Sequence, residues 1–221
     1  MHNNNQNIVY RLVTAFGAWG IVTFARLLTA VQPFWQGADP TRQKTCVYFA
    51  NHVSHGDFVL IWATLPKRLR YRTRPVAGAD YWRKNRLRRF IGEGIFNSVL
   101  IARTPQAHGS HPIAQMTEAL DEGASLIVFP EGTRNLNDTD LLAFKSGLFR
   151  LAQARPEIEL VPVWIDNLNR VLPKGAFVPV PLMCRVVFGA PLVLQDNETK
   201  PDFLDRARKA LLALRPGVEK P

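Results

Sequence analysis

Short apolar runs rich in branched side chains recur along the chain, at residues 45–50, 74–77, 98–102, 125–129, 160–165 and 184–188. Each has the length of a strand, and near-continuous apolar character is what a strand covered on both faces requires. Between several of them the apolar positions change to a helical period. The clearest such stretch is 111–122, with Ser110 placed to cap it, Pro112 in its first turn and Gly123 to end it. Residues 144–154 and 202–214 also read as helices. This alternation predicts an α/β fold, a single domain whose mixed β-sheet is covered by helices.

The N-terminal pattern is different. Residues 8–31, IVYRLVTAFGAWGIVTFARLLTAV, are helical in composition and carry charge only at Arg11 and Arg26. The uncharged stretch 12–25 is shorter than the ~18–20 residues that cross a bilayer comfortably. It therefore predicts an N-terminal membrane-associating helix, monotopic or re-entrant, with a core helix as the other reading. At 100° per residue Arg11 and Arg26 fall about 60° apart, which would let both face headgroups together. MHNNNQN lacks the basic start of a secretory signal. There is no internal repeat, and the turn-rich stretch 135–140 is too short to link domains. The expected division is a membrane-associating helical segment over 1–40 and one larger domain over 41–221.

Charge sharpens the membrane reading. The formal net charge is +10, and Lys67, Arg68, Arg70, Arg72, Arg74, Arg83, Lys84, Arg86, Arg88 and Arg89 face a single Asp80 over the same stretch. Such a segment attracts nucleic acid or an anionic membrane, where each basic residue near the surface contributes about 1 kcal/mol. Only Tyr71, Tyr81, Trp82 and Phe90 are interleaved with these charges, and no nucleic-acid-binding module is recognisable, which argues against nucleic acid. Cys46 and Cys184 sit inside apolar runs without zinc-ligand spacing and are expected to be buried thiols. No metal and no cofactor is called for.

Chemistry concentrates in two strand-to-loop junctions. NHVSHGD, residues 51–57, follows the apolar run TCVYFA and precedes the helix-capable FVLIWATL. On one continuous helix His52 and Asp57 would point about 140° apart. A strand ending near Asn51 and a helix beginning near Asp57 would instead fold the carboxylate back onto the imidazole, leaving the other ring nitrogen to accept a proton. Taken alone, the same residues also read as an Asp57 helix cap beside an ordinary loop histidine, and His55 as a loop residue. PEGTRN, residues 130–135, follows SLIVF. Gly132 and Thr133 allow main-chain N–H groups to approach a ligand, and Arg134 offers a planar fork for phosphate; a salt-bridged turn is the alternative.

In combination, NHVSHGD and FPEGTRN resemble the 1-acylglycerol-3-phosphate acyltransferase family, membrane-bound enzymes of phospholipid synthesis marked by N-H-x-x-x-x-D followed by F-P-E-G-T-R. FKSG at 144–147 and LVPVWI at 160–165 resemble two further family blocks, so the likeness extends over roughly 45–190. Where the family has G-x-x-F-I-x-R, this chain has NSVLIAR, with Arg103 kept, Asn97 at the glycine position and Leu100 at the phenylalanine.

The resemblance implies transfer of a fatty acyl group from acyl-CoA or acyl-carrier protein to the hydroxyl of a lysophospholipid such as lysophosphatidic acid. His52 would be the base and Asp57 its orienting partner, with no covalent acyl-enzyme. Arg103 and Arg134 would hold the acceptor phosphate, Glu131, Gly132 and Thr133 would shape its pocket, and Lys145 would assist or be a surface lysine. The changed NSVLIAR block leaves another lysolipid or a glycerol-type acceptor open. The expected location is the cytoplasmic face of the cell membrane, with an anionic lipid surface as partner and no nucleic acid.

Overall fold

The protein is described by a computed structural model covering residues 2–102, 111–137, 139–166 and 183–217, with side chains from residue 8 onward. The elements in chain order begin with α1 (His2–Thr29), β1 (Gln32–Gln36), β2 (Cys46–Ala50), α2 (Asp57–Thr64), α3 (Lys67–Arg70) and β3 (Thr73–Gly78). There follow α4 (Ala79–Trp82), α5 (Arg86–Arg89), a π-helical turn (Phe90–Ile95), β4 (Val99–Ile101), α6 (Pro112–Asp121) and β5 (Ser125–Val128). The last are α7 (Gly147–Ala154), β6 (Glu159–Asp166), β7 (Arg185–Gly189) and α8 (Lys200–Leu212).

The strands form one seven-stranded mixed sheet in the order β1-β7-β6-β2-β5-β3-β4. All neighbours are parallel except the antiparallel pair β6–β7. β2 lies at the centre and is buried at every residue. Cys46, Tyr48 and Ala50 face a core shared with α1 and α2, while Val47 and Phe49 face a second core under α6, α7 and α8. Helices on both faces explain why the strands read as unbroken apolar runs. Both cysteines are buried free thiols.

The six expected strands are present, with ends shifted by one residue or so. β1 is additional: it pairs with β7 from Gln32 opposite Arg185 to Gln36 opposite Gly189. Helix α6 begins at Pro112, and its cap is His111, whose Nδ1 accepts from the Ile113 N–H at 3.3 Å. Ser110, the expected cap, lies outside the described residues.

Helix α2 matters most for the site because it carries Asp57 at its first residue. Two guanidinium groups hold its other end. Arg26 Nη2 donates to the Ala63 carbonyl at 2.8 Å, and Arg70 donates to the carbonyls of Trp62, Ala63 and Leu65 at 2.9, 2.9 and 2.8 Å. Cations at a helix C-terminus satisfy carbonyls that have no partner within the helix and complement its dipole. Arg26 is therefore committed to the domain, and the expected headgroup-facing pair Arg11 and Arg26 is not formed.

The basic segment 67–89 is likewise split by the fold. Arg70 and Arg72 lie at the N-terminal ends of β3 and β5, where Arg72 donates to the Gly123 carbonyl. Arg74 binds Glu122 and the Asn97 carbonyl. Lys84, Arg86, Arg88 and Arg89 follow β3 at the opposite edge of the sheet. The ten charges do not make one face.

Along α1, Ala18, Val22 and Ala25 are buried, Gly17 faces Ile95, and Tyr10 meets the Phe90 ring edge-on at 6.2 Å. The rest of its apolar surface is bare, including Phe16, Trp19, Phe24 and Leu27. The segment Ile8–Thr29, with mean hydropathy 1.5, is long and apolar enough to cross a membrane, which the charge-free stretch 12–25 understated.

Candidate active site

β2 and β5 are parallel neighbours, with Phe49 opposite Val128, so both end at the same edge of the sheet. The loops that follow them, residues 51–57 and 129–135, emerge side by side. Asn51 closes β2 by gripping β6: its Nδ2 donates to the Ile165 carbonyl at 3.0 Å and its Oδ1 accepts from the Ile165 N–H at 2.8 Å. The chain then turns, and α2 starts at Asp57, as the fold-back required.

Asp57 is fully buried. Its Oδ2 accepts from three donors: the His52 Nδ1–H at 2.7 Å, the Val53 N–H at 2.7 Å and the Ser54 N–H at 3.0 Å. The α2 N-terminus adds a favourable dipole beside this carboxylate. With Nδ1 donating, Nε2 of His52 is the nitrogen left to accept a proton. The ring stacks on Phe129, with centroids 4.2 Å apart and planes 20° apart, which limits its rotation. About a fifth of the His52 side chain is exposed, against a buried aspartate.

The 130–135 loop acts on the histidine through the backbone. Glu131 Oε1 accepts from the His52 N–H at 2.8 Å, and the Asn135 N–H donates to the His52 carbonyl at 2.6 Å. Glu131 Oε2 accepts from the Leu142 N–H at 2.8 Å. The glutamate is 1% exposed, and burial pushes its carboxyl above the ordinary range despite these two donors. Both of its oxygens are thus committed to main-chain N–H groups. This differs from the expected pocket-shaping role for Glu131: it braces His52 rather than facing a ligand. The bracing roles of Asn51 and Asn135 were not foreseen; for Asn51, which acts through its side chain, the asparagine of the junction motif was the available signal, whereas Asn135 acts through its main-chain N–H.

A cavity of about 1040 Å³ opens in front of His52. Part of its wall is apolar, with Val76, Ile101, Met116, Val128 and Leu151. Another part is basic, with Lys84, Arg88, Lys145 and Arg150, beside Asp80. Gly132 and Lys145 lie on the wall together, and a Cβ on Gly132 would meet Lys145 Cγ at 3.2 Å. Lys145 is further placed by its own N–H, which donates to the Pro130 carbonyl at 2.7 Å. Thr133 is exposed on the loop, and Arg134 is partly exposed; neither lines the cavity, so the structure does not gather Arg134 with Lys145 as a phosphate grip. Arg103 lies outside the described residues. His55 lines the cavity and stacks on Tyr81. The arrangement is an oriented imidazole at the mouth of a space with one apolar and one cationic wall, able to deprotonate a hydroxyl on an amphipathic substrate.

Comparison with known proteins places the chain in a family. A family model described as Acyltransferase matches residues 33–166. A 1-acyl-sn-glycerol-3-phosphate acyltransferase of Chlamydomonas reinhardtii is 32% identical over 139 residues, which cover 62% of this chain and 38% of that protein. A chloroplastic 1-acyl-sn-glycerol-3-phosphate acyltransferase of Brassica napus is 28% identical over 166 residues, covering 66% of this chain and 42% of its own length. The chain thus spans less than half the length of these two relatives. The crystal structure of the 1-acyl-sn-glycerophosphate acyltransferase PlsC from Thermotoga maritima superposes with a TM-score of 0.68 at 20% identity, covering 92% of this chain and 80% of that one, which is a likeness of fold. The family match takes in both junction loops, the His52–Asp57 pair and the strands that place them, and the chain belongs to the acyltransferase family.

Proposed function

We propose that this protein moves a fatty acyl group from a thioester, acyl-CoA or acyl-carrier protein, to the free hydroxyl of 1-acylglycerol 3-phosphate, giving phosphatidic acid. The observation that carries the reading is the His52 ring held through Nδ1 by buried Asp57 at the edge of the cavity. Nε2 takes the hydroxyl proton as the oxygen attacks the thioester carbonyl. The C–O bond forms, the tetrahedral intermediate collapses, the C–S bond breaks, and the imidazolium returns the proton to the thiolate. Asp57 holds the ring and stabilises its charged form. Lys145 and Gly132 lie on the cavity wall where an acceptor headgroup would sit, and the apolar wall suits an acyl chain. Arg103 and Arg134 remain the residues that the family motifs assign to phosphate. Another lysolipid or a glycerol-type acceptor is the alternative, favoured by Asn97 and Leu100 in the NSVLIAR block.

Residues 1–40 supply the membrane association and 41–221 the acyl transfer. α1 associates with the bilayer through its bare apolar side while its other side stays packed on the domain, which supports a monotopic placement rather than a free span; the side proposed is the cytoplasmic face. Lysolipid and acyl donor would meet at that surface. The test is acyl transfer by membranes containing the protein, with labelled acyl-CoA and acyl-carrier protein offered to lysophosphatidic acid and a panel of lysolipids. Labelled phosphatidic acid formed by wild type and lost in His52→Ala supports the assignment; product from a different lysolipid moves the acceptor; no product from any pair sinks the reading.

A further inference from the structure

The basic residues of 67–89 differ in what they already hold. Arg70, Arg72 and Arg74 bind carbonyls or Glu122, and Arg83 and Arg89 share the Glu93 carboxylate. Lys84 and Arg88 instead line the cavity. Asn85 Oδ1 accepts from the Arg88 N–H at 2.8 Å, which fixes the first turn of α5. The Arg88 guanidinium lies over the Tyr81 ring, 4.4 Å from its centroid. His55 stacks on the same ring, with centroids 5.5 Å apart and planes 13° apart. Tyr81 in turn meets Trp82 edge-on at 5.3 Å. Trp82 is wedged against Phe58 and Phe96, and a Cβ on Gly92 would meet its ring at 2.8 Å. A packed aromatic base thus carries an imidazole and a guanidinium to the cavity wall.

We propose that His55, Lys84 and Arg88, mounted on Tyr81, form a phosphate-recognition subsite of this cavity. It rests on the acyl-transfer reading for its two candidate ligands: the phosphate monoester of the acceptor, or the phosphates of a coenzyme A donor. A guanidinium stacked on an aromatic face keeps its in-plane N–H groups directed outward, the geometry that meets phosphate oxygens two at a time. Lys84 adds a point charge, and His55 an imidazole on the same wall. Asp80 shares this wall, so Lys84 and Arg88 together leave it net positive. Lys145 and Arg150 reach the same cavity from the loop before α7 and from α7 itself. Basic side chains brought from two parts of the chain suit a reaction whose two substrates both carry phosphate.

The test is calorimetric titration of the full chain, separately with glycerol 3-phosphate and with coenzyme A, comparing wild type with Arg88→Ala, Arg88→Lys and Lys84→Ala. Arg88→Ala should weaken one of the two probes about tenfold or more, the scale of a lost charge-assisted contact. Lys84→Ala, at an exposed residue that the fold does not need, should weaken the same probe. Arg88→Lys should recover part of the loss, since charge returns without the fork. A response confined to glycerol 3-phosphate identifies the acceptor's phosphate, and one confined to coenzyme A the donor's. Unchanged binding of both probes in Arg88→Ala and Lys84→Ala overturns the subsite, as does failure of the wild type to bind either. Because binding is read without turnover, a wild type that binds its probe through Arg88 yet acylates nothing would instead overturn the proposed reaction and leave the subsite standing.

Discussion

The main-chain N–H of His52 donates to Oε1 of Glu131 at 2.8 Å, joining two loops 79 residues apart in sequence. The other carboxylate oxygen takes the Leu142 N–H, so one buried side chain ties the histidine to the far end of its neighbouring loop. Glu131→Gln keeps the shape but turns one acceptor into an NH₂ group aimed at a main-chain N–H. A buried donor facing a donor costs about 1–3 kcal/mol. The expected result is a lower melting temperature and a fall of tenfold or more in kcat, with the acceptor KM nearly constant because both Glu131 oxygens are held by main-chain N–H groups and the side chain is off the cavity wall. A variant in which KM rises and kcat holds would return Glu131 to the binding pocket.

The same carboxyl predicts a pH dependence. Burial raises Glu131 above its ordinary 4.5, so in the interval above that value the folded protein holds a proton that the unfolded chain has released. Stability from this group is complete below 4.5 and declines as pH rises through the folded value. Glu198 has the opposite sign, since its bonds to Arg206 hold its pKa low and its contribution is lost as pH falls. Subtracting the melting curve of Glu131→Gln from that of wild type removes such shared contributions. The wild-type advantage should shrink as pH rises above 4.5; an advantage that grows would mean that Glu131 is ionised without penalty.

Much of the architecture was legible because a central sheet covered on both faces needs continuous apolar strands, and Cys46–Ala50, Ser125–Val128 and Glu159–Asp166 supply them. β1 was not, since four of its five residues are exposed and it holds Pro33 at the sheet edge, where a missing N–H is harmless. His52 and Asp57 could be paired because both lie within one turn of chain. The Glu131 and Asn135 braces could not, because they bind the His52 backbone, and a main-chain group has no sequence signature. Arg26 escaped for a related reason: its partner is the Ala63 carbonyl. Helical phase gives a side chain's direction but not what packs there.

Asp57→Asn tests charge almost in isolation. The amide oxygen of the new side chain can take the place of the carboxylate oxygen that accepts from Val53, Ser54 and His52, and its NH₂ would occupy the position of the Asp57 oxygen that lacks a hydrogen-bond partner among the described residues. What disappears is the negative charge that stabilises the imidazolium. Acyl transfer should fall at least about a hundredfold, and His52→Ala by ~10²–10⁴, with the double variant no worse than about the more severe single one. Multiplying losses would mean that the two residues act separately.

Gly132→Ala probes a point where backbone and cavity meet. Gly132 has φ of 71°, a conformation that costs a residue bearing a Cβ about 1–2 kcal/mol, and the new methyl would lie 3.2 Å from Lys145 Cγ. The variant should melt several degrees lower and lose activity as Lys145 is displaced from the cavity wall. Thr133→Ala, at the next residue of the same loop but exposed and off the wall, should melt within a degree or so of wild type. Equal effects at the two positions would remove the argument for the cavity as the acceptor's seat.

The membrane face of α1 can be separated from its packed face. Phe16 and Leu27 are 72% and 80% exposed, whereas Ala18, Val22 and Ala25 are buried against the domain. Phe16→Asp with Leu27→Asp therefore places two charges on the bare surface and removes little packing, so the melting temperature of the detergent-solubilised protein should stay near that of wild type. In a bilayer each aspartate carries a penalty of up to ~3 kcal/mol at the centre of an apolar helix, less near the headgroups. Flotation with anionic vesicles should move the protein from the vesicle fraction towards the soluble one, and acylation of vesicle-borne lysolipid should fall with it. His52→Ala should float like wild type, which keeps loss of binding distinct from loss of chemistry. Undiminished flotation of the double variant would place the bilayer contact elsewhere, with exposed Leu87 on α5, beside Arg86 and Arg88, as the next surface to charge.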